Sequence, residues 1–327
     1  MTRLVVSLSL VVLVLFGASL FIGPAGLGLA ESVSGLFQGP DSPVTLVMRE
    51  IRLPRALLAV MIGASLGLAG AAMQGYLRNP LAEPGLIGVS GAAALGAVLA
   101  IQTGLSATFA LGLPFAALAG ALLAVLLVMA LAGPRGTSLT LILAGIAVSA
   151  LAAALTSLVL NLSPNPFAAS EIVYWMMGSL ADRSMTHVWL ALPFMLVGGA
   201  LLATLGRGLD ALTLGEDAAQ AMGIPVNRLR LQLVLGTACV VGAGTAVSGA
   251  IGFVGLVVPH ILRPLVGAQP SRLLWASALG GAIMVLAADI TTRVVLPDKD
   301  LKLGVLTALV GAPLFLHLIL KLRRERL

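Results

Sequence analysis

The sequence predicts an all-α polytopic membrane protein of about ten transmembrane helices, and three observations predict it. Of 327 residues, 59% are hydrophobic and only 10% are charged, and the mean hydropathy of +1.08 is too apolar for a soluble domain to cover its surface with polar groups. Long uncharged runs recur, and a helix needs roughly 20 residues to cross the hydrocarbon core. Gly, Ala and Ser crowd those runs, as from Gly63 to Ala72. Such residues let helices approach closely where lipid removes any hydrophobic drive between them.

Taken in order, the first apolar segment, Leu4 to Ile22 after Arg3, has the polarity of a signal peptide. Its apolar stretch is longer than such a segment carries and more spans follow, so it reads as an uncleaved first helix. The uncharged runs cover 4–30, 56–77, 84–134, 136–170, 184–206, 231–262, 273–288 and 303–320. The third must fold back, and Gly104, Gly112 and Pro114 punctuate a reversal over Thr103–Pro114. The 231–262 run also exceeds one crossing, with Gly242, Gly244, Ser248, Gly249 and Gly252 offering the break. Ten spans result, the eighth short. They form a single transmembrane domain over 1–327, since the longest polar stretches are only 31–55, 161–183, 207–230 and 289–302.

Charge sets the orientation. The formal net charge is +6, yet the basic residues stand singly between apolar runs with no stripe or aromatic platform, so a nucleic-acid partner is not expected. Of the 19 lysines and arginines, twelve fall on the side of the bundle that holds both termini and seven on the other. The richer side faces the cytoplasm, which puts both termini there. Cys239 lies in an apolar run with no partner for a disulfide and reads as a small packing residue.

What drives such a bundle is limited by what it lacks. Ion-coupled transporters hold ionisable groups at membrane depth, whereas here Asp289 lies near a span end and His317 near the last one. No G-x-x-x-x-G-K-[ST] loop, His-Glu-x-x-His motif or nucleophile and base pair occurs, so neither an ATPase nor an intramembrane enzyme is expected, and no catalytic or metal-binding residue is assigned. Fuel for active transport is then consumed on another chain. The segment 207–230 is the best surface for that chain to grip. In it Glu216, Asp217, Ala218, Ala219 and Ala221 make a short helix opened by acidic residues and stopped by Gly223 and Pro225. A plain solvated loop is the alternative.

Four segments resemble the FecCD family, the permease subunits of type II ATP-binding-cassette (ABC) importers for haem, iron siderophores and cobalamin. They are Arg52-Leu-Pro-Arg55, Met73-Gln74 continuing through Asn79 to Ser90, Gly252 to His260, and Thr307-Ala308 with Gly311 to Pro313. The resemblance implies a BtuC-like permease fold of ten helices in the bacterial inner membrane. It also implies a homodimer with its path on the dimer axis, two cytoplasmic ATPase subunits and a periplasmic substrate-binding protein. This chain would bind no cofactor, the partner ATPase using ATP and Mg.

The same resemblance implies residue roles. The segment 207–224 would supply ATPase coupling through Leu209, Leu212, Leu214, Gly215, Glu216, Asp217, Ala218, Ala219, Met222 and Gly223. Asn79, Leu81, Thr137 and Ser138 would form cytoplasmic gates. Arg52, Arg55 and Arg293 would pair with acidic residues of the binding protein, where a bidentate Arg–carboxylate contact orients a partner; simple snorkelling at helix ends is the alternative. Before the last span the chain departs from the family pattern, reading Asp300-Leu301-Lys302-Leu303-Gly304 with Lys299 just before it. His187, His260 and His317 each read as packing residues. The run Leu77–Gly88 looks most like haem permeases, with ferric siderophores and then cobalamin as the other cargoes.

Overall fold

The computed structural model describes residues 1–23, 26–37, 42–133, 136–295 and 301–324, and every regular element among them is helical. In a hydrocarbon core the backbone must satisfy its own hydrogen bonds, and a helix does so within one segment. In chain order come α1 (Thr2–Phe21), α2 (Leu29–Phe37), α3 (Pro43–Leu46) and a π-turn Val47–Arg52 leading into α4 (Leu53–Leu77). A 3-10 turn Pro84–Ile87 precedes α5 (Val89–Gln102), α6 (Leu105–Thr108), α7 (Gly112–Ala132) and α8 (Ser138–Asn161). The second half holds α9 (Pro166–Met176), α10 (Met185–Ala203), α11 (Gly206–Leu212), α12 (Glu216–Ala221), α13 (Val226–Ser248), α14 (Val254–Leu262), α15 (Pro270–Val295) and α16 (Leu303–Arg324).

Among the described residues seven segments are long and apolar enough to cross a membrane: α1, the joined stretch Pro43–Leu77, α7, α8, α10, α13 and α15. Shorter α5 and α14, with α16, complete the ten helices that the sequence predicts. The reversal between α5 and α7 falls where Gly104 and Gly112 mark it. The second break falls at the far end of its marked stretch: α13 runs straight through Gly242 and Gly244 to Ser248, and the chain turns over Gly249 to Phe253. A Cβ on Gly242 would come 2.7 Å from that of Ala121, so this glycine serves helix packing rather than a turn. The 136–170 run is also divided, because α9 starts afresh at Pro166 with its Phe167 N–H bonded to the Asn165 side chain.

Helix α4 is the hub, touching α15, α14, α10, α13 and α1. It meets α15 through Gly63, Gly67 and Gly281, where a Cβ on Gly67 would collide with the Ser277 carbonyl oxygen. By contrast α1 packs at the edge, leaving Leu10, Leu13 and Val14 outward. Its last turn meets the start of α4 and the end of α15. The start of α1 therefore lies at the opposite end of the bundle, with the end of α4 and the segment 206–224 that packs on it.

Candidate functional site

Sequence positions expected to act separately meet at the end that carries 206–224. Helix α12 begins at Glu216, and the Glu216 carboxylate accepts the Ser138 hydroxyl at 3.2 Å. Ser138 is the first residue of α8, whose start is capped by the Thr137 hydroxyl on Thr140 N–H at 3.3 Å. Tyr76, in the last turn of α4, lies beside Ser138. Beside them the Arg230 guanidinium donates to the Gly133 carbonyl at 3.2 Å and to the Gly136 carbonyl, closing the C-terminus of α7.

The ten residues expected to couple to an ATPase divide into a stem and a tip. Leu209, Leu212 and Ala219 are buried, with Leu209 against Gly75 of α4, so they root the segment in the bundle. Gly215 and Ala218 are half-buried. Leu214 is 71% exposed and Met222 52%, and Asp217 and Gly223 are also exposed. Gly215 at φ +107 and Gly223 at φ +81 bracket α12, backbone that a side chain would strain. The sequence did not reveal α11, whose Asp210 accepts Ser271 N–H at 2.8 Å and the Gln269 amide at 3.1 Å. A carboxylate late in a short helix, unable to cap that helix, was the signal that it serves another.

The gate candidates Asn79 and Leu81 share one turn. Asn79 Oδ1 accepts Leu81 N–H at 2.9 Å, an Asx turn that fixes the loop after α4 ends at left-handed Arg78. Deeper in, three of the four family-like segments converge on Phe253. The Glu83 carboxylate accepts Phe253 N–H at 2.8 Å. Gly311 packs on the Phe253 side chain, while Gln74 donates to the Leu256 carbonyl at 3.2 Å and accepts from Arg263 at 2.7 Å. Burial pushes the Glu83 carboxyl above its ordinary range, partly offset by the Phe253 hydrogen bond.

At the far end the three docking candidates Arg52, Arg55 and Arg293 lie on the C-terminus of α1 and on Asp289. Arg52 is buried and donates to the Leu20 and Phe21 carbonyls at 2.9 and 3.2 Å. Arg293 donates to the Ser19 and Ile22 carbonyls, both at 2.8 Å, and to Asp289 Oδ2 at 2.7 Å. Arg55 binds Asp289 Oδ1 at 2.8 Å and alone keeps appreciable open surface, 19% of its side chain. Unpaired α1 carbonyls and one buried carboxylate attract guanidinium groups more strongly than open solvent holds them. Lys302 stands over the Tyr174 ring at 5.5 Å, whereas Lys299 and Asp300 lie outside the described residues.

His260 and His317 line one cavity of about 170 Å³ between α14 and α16, with Leu256, Val257, Ile261, Leu314 and Phe315. His187 instead accepts the Ser184 N–H at 3.3 Å and packs at the start of α10. Among the described residues no three His, Cys, Asp or Glu side chains gather as metal ligands.

Residues 10–321 match the FecCD transport family. The ABC transporter permease protein YvrB of Bacillus subtilis is 40% identical over 88% of this chain and 82% of its own length. The cobalamin import permease BtuC of Halobacterium salinarum is 40% identical over 86% of this chain and 75% of its own. The hemin transport permease HmuU of Yersinia pestis is 36% identical over 99% of this chain and 97% of its own. Among solved structures, a metal-chelate type ABC transporter in an inward-facing conformation superposes with TM-score 0.87 and 34% identity, covering 98% of this chain and all of that one.

Proposed function

From the premise that this chain belongs to the FecCD transport family, we propose that it forms a homodimeric path for haem across the bacterial inner membrane, with both termini in the cytoplasm. It is the multi-pass permease subunit of a type II ABC importer. It works with a substrate-binding protein and with ATPase subunits that hydrolyse ATP, so this chain performs no chemistry.

One observation carries the mechanism: the 3.2 Å bond from Ser138 to Glu216 joins a gate candidate to the surface offered to the ATPase. Two cytoplasmic ATPase subunits, using Mg and ATP, grip the tip formed by Leu214, Asp217, Met222 and Gly223. The stem residues Leu209, Leu212, Gly215, Ala218 and Ala219 transmit the movement. Asn79, Leu81, Thr137 and Ser138 then open or close the cytoplasmic side, an alternating-access cycle driven by differential nucleotide affinity. At the periplasmic side the binding protein meets a rim where Arg55 keeps open surface.

Haem is supported by the near full-length match to a hemin permease and by imidazoles at one cavity. A specific observation also favours cobalamin, since a cobalamin permease reaches 40% identity. Uptake into proteoliposomes holding the complete importer discriminates, with haem, cyanocobalamin and a ferric siderophore as competing cargoes. Haem accumulation that requires ATP and is not displaced by the other two supports the proposal. Accumulation of cyanocobalamin or the siderophore instead of haem overturns the cargo.

A further inference from the structure

The segment 206–224 does more than present a tip. Its two helices place one carboxylate on the beginning of each of two different membrane helices. Asp210 of α11 accepts the Ser271 N–H in the first turn of α15 at 2.8 Å and braces Gln269, just before that helix, at 3.1 Å. Glu216 of α12 accepts the hydroxyl of Ser138, the first residue of α8, at 3.2 Å. Free N–H groups and the macrodipole favour negative charge at a helix start, so both links are charge-assisted. Only Thr213, Leu214 and Gly215 separate α11 from α12, and the buried stem residues Leu205, Leu209 and Leu212 tie the two to the bundle as one piece.

The far end of α15 is held as firmly. Asp289 is fully buried and bridges Arg55 of α4 to Arg293 of α15, and Arg293 also holds the C-terminus of α1. From Ser271 to Asp289 the helix spans about 27 Å at ~1.5 Å per residue, most of a bilayer core. Thus α15 is an unbroken rod pinned by a carboxylate at each end.

We propose that Asp210 and Glu216 form a two-armed yoke in which Glu216 moves α8 and Asp210 moves α15, which carries the movement of the ATPase to the arginine cluster at the opposite face. Asp210 is a positioning residue: it touches no cargo and acts through Ser271. This rests on the coupling reading above, and it adds the route by which the nucleotide state reaches the periplasmic side. An ordinary helix cap would stabilise α15 without linking it to nucleotide, and the experiment separates the two.

The complete importer, with its ATPase subunits and binding protein in proteoliposomes, carries Cys239→Ser so that a single introduced cysteine reports. Val294→Cys, 57% exposed at the far end of α15, and Leu139→Cys, 64% exposed at the start of α8, are placed in separate preparations. Alkylation rates by a soluble maleimide are read with and without ATP, alongside ATP hydrolysed per cargo imported. The yoke predicts that Asp210→Ala removes the ATP-dependent change at 294, keeps it at 139, and raises ATP hydrolysed per cargo by about fivefold or more, the low end of allosteric coupling. Glu216→Ala does the reverse at the two positions. Asp210→Asn, which keeps the shape and one acceptor, gives an intermediate ratio and decides the matter if Asp210→Ala does not fold. An unchanged response at 294 in both Asp210 variants overturns the yoke, as does a parent importer with no nucleotide response at 294. Failure of the parent permease to retain ATPase subunits overturns the coupling reading itself.

Discussion

The Glu216 carboxylate accepts the Ser138 hydroxyl at 3.2 Å, so the acidic start of α12 rests on the first residue of α8 across 78 residues of sequence. If that contact transmits force, Ser138→Ala and Glu216→Gln should each reduce uptake per ATP while the bundle stays folded. A single exposed or half-buried hydrogen bond contributes only about 0.5–1.5 kcal/mol to stability, so thermal midpoints should move little. Gly223→Ala should reach the same phenotype by another route, because a Cβ at φ +81 costs about 1–2 kcal/mol and tilts α12. ATP hydrolysis and uptake measured together check all three variants.

Asp289, itself buried, holds two arginines, of which Arg55 keeps some open surface. Asp289→Ala leaves Arg55 and Arg293 facing each other without their shared counter-charge, and the thermal midpoint in detergent should fall as expected for a loss of about 3–5 kcal/mol.

Glu83 gives a pH dependence of defined sign. Its carboxyl titrates above the ordinary 4.5, so the folded state binds the proton more tightly than the unfolded chain does. Stability is then fullest below about 4.5 and declines as pH rises from there through the elevated value. Glu83→Gln keeps an acceptor for Phe253 N–H without the buried charge. It should flatten the decline and melt no lower than the parent at neutral pH. Glu83→Ala strands that N–H and should cost about 1–3 kcal/mol. Thermal unfolding between pH 4 and about 8 reads both, within the window where such groups titrate.

Gly67 and Gly281 set how closely α4 and α15 approach. Gly67→Ala places a methyl on the Ser277 carbonyl oxygen, backbone that cannot swing aside. Overpacking of this kind costs typically ~1–3 kcal/mol. Gly17→Ala, with open space around its Cβ, should be neutral and serves as the control.

Much of this fold is legible in the sequence because lipid imposes a simple rule on it. A run free of charge and long enough to cross must be a helix, and Gly104, Gly112 and Pro114 interrupt one where no other element competes. Glycine is ambiguous deeper in the bundle. Gly242 and Gly244 resemble Gly249 in sequence, yet the first two sit inside α13, with Gly242 tight against α7, and only the last, at φ +73, turns the chain. The arginines show the other limit. That α1 ends beside them, and that Asp289, 234 residues after Arg55, comes to meet it, are long-range contacts no local motif announces. Asp210 escaped notice because its partner, Ser271, lies beyond the whole of α13 and α14.

A separate nucleotide-hydrolysing subunit that grips the 206–224 segment can be captured by cross-linking from its tip. Leu214, exposed at the tip, is replaced by cysteine in the Cys239→Ser background, and a short bifunctional thiol reagent is applied to the importer purified with its companions. Position 214 should be joined to the ATPase subunit, with a yield that changes when ATP is trapped. Cross-links that never reach an ATPase chain, together with cargo uptake that proceeds without one, would contradict it.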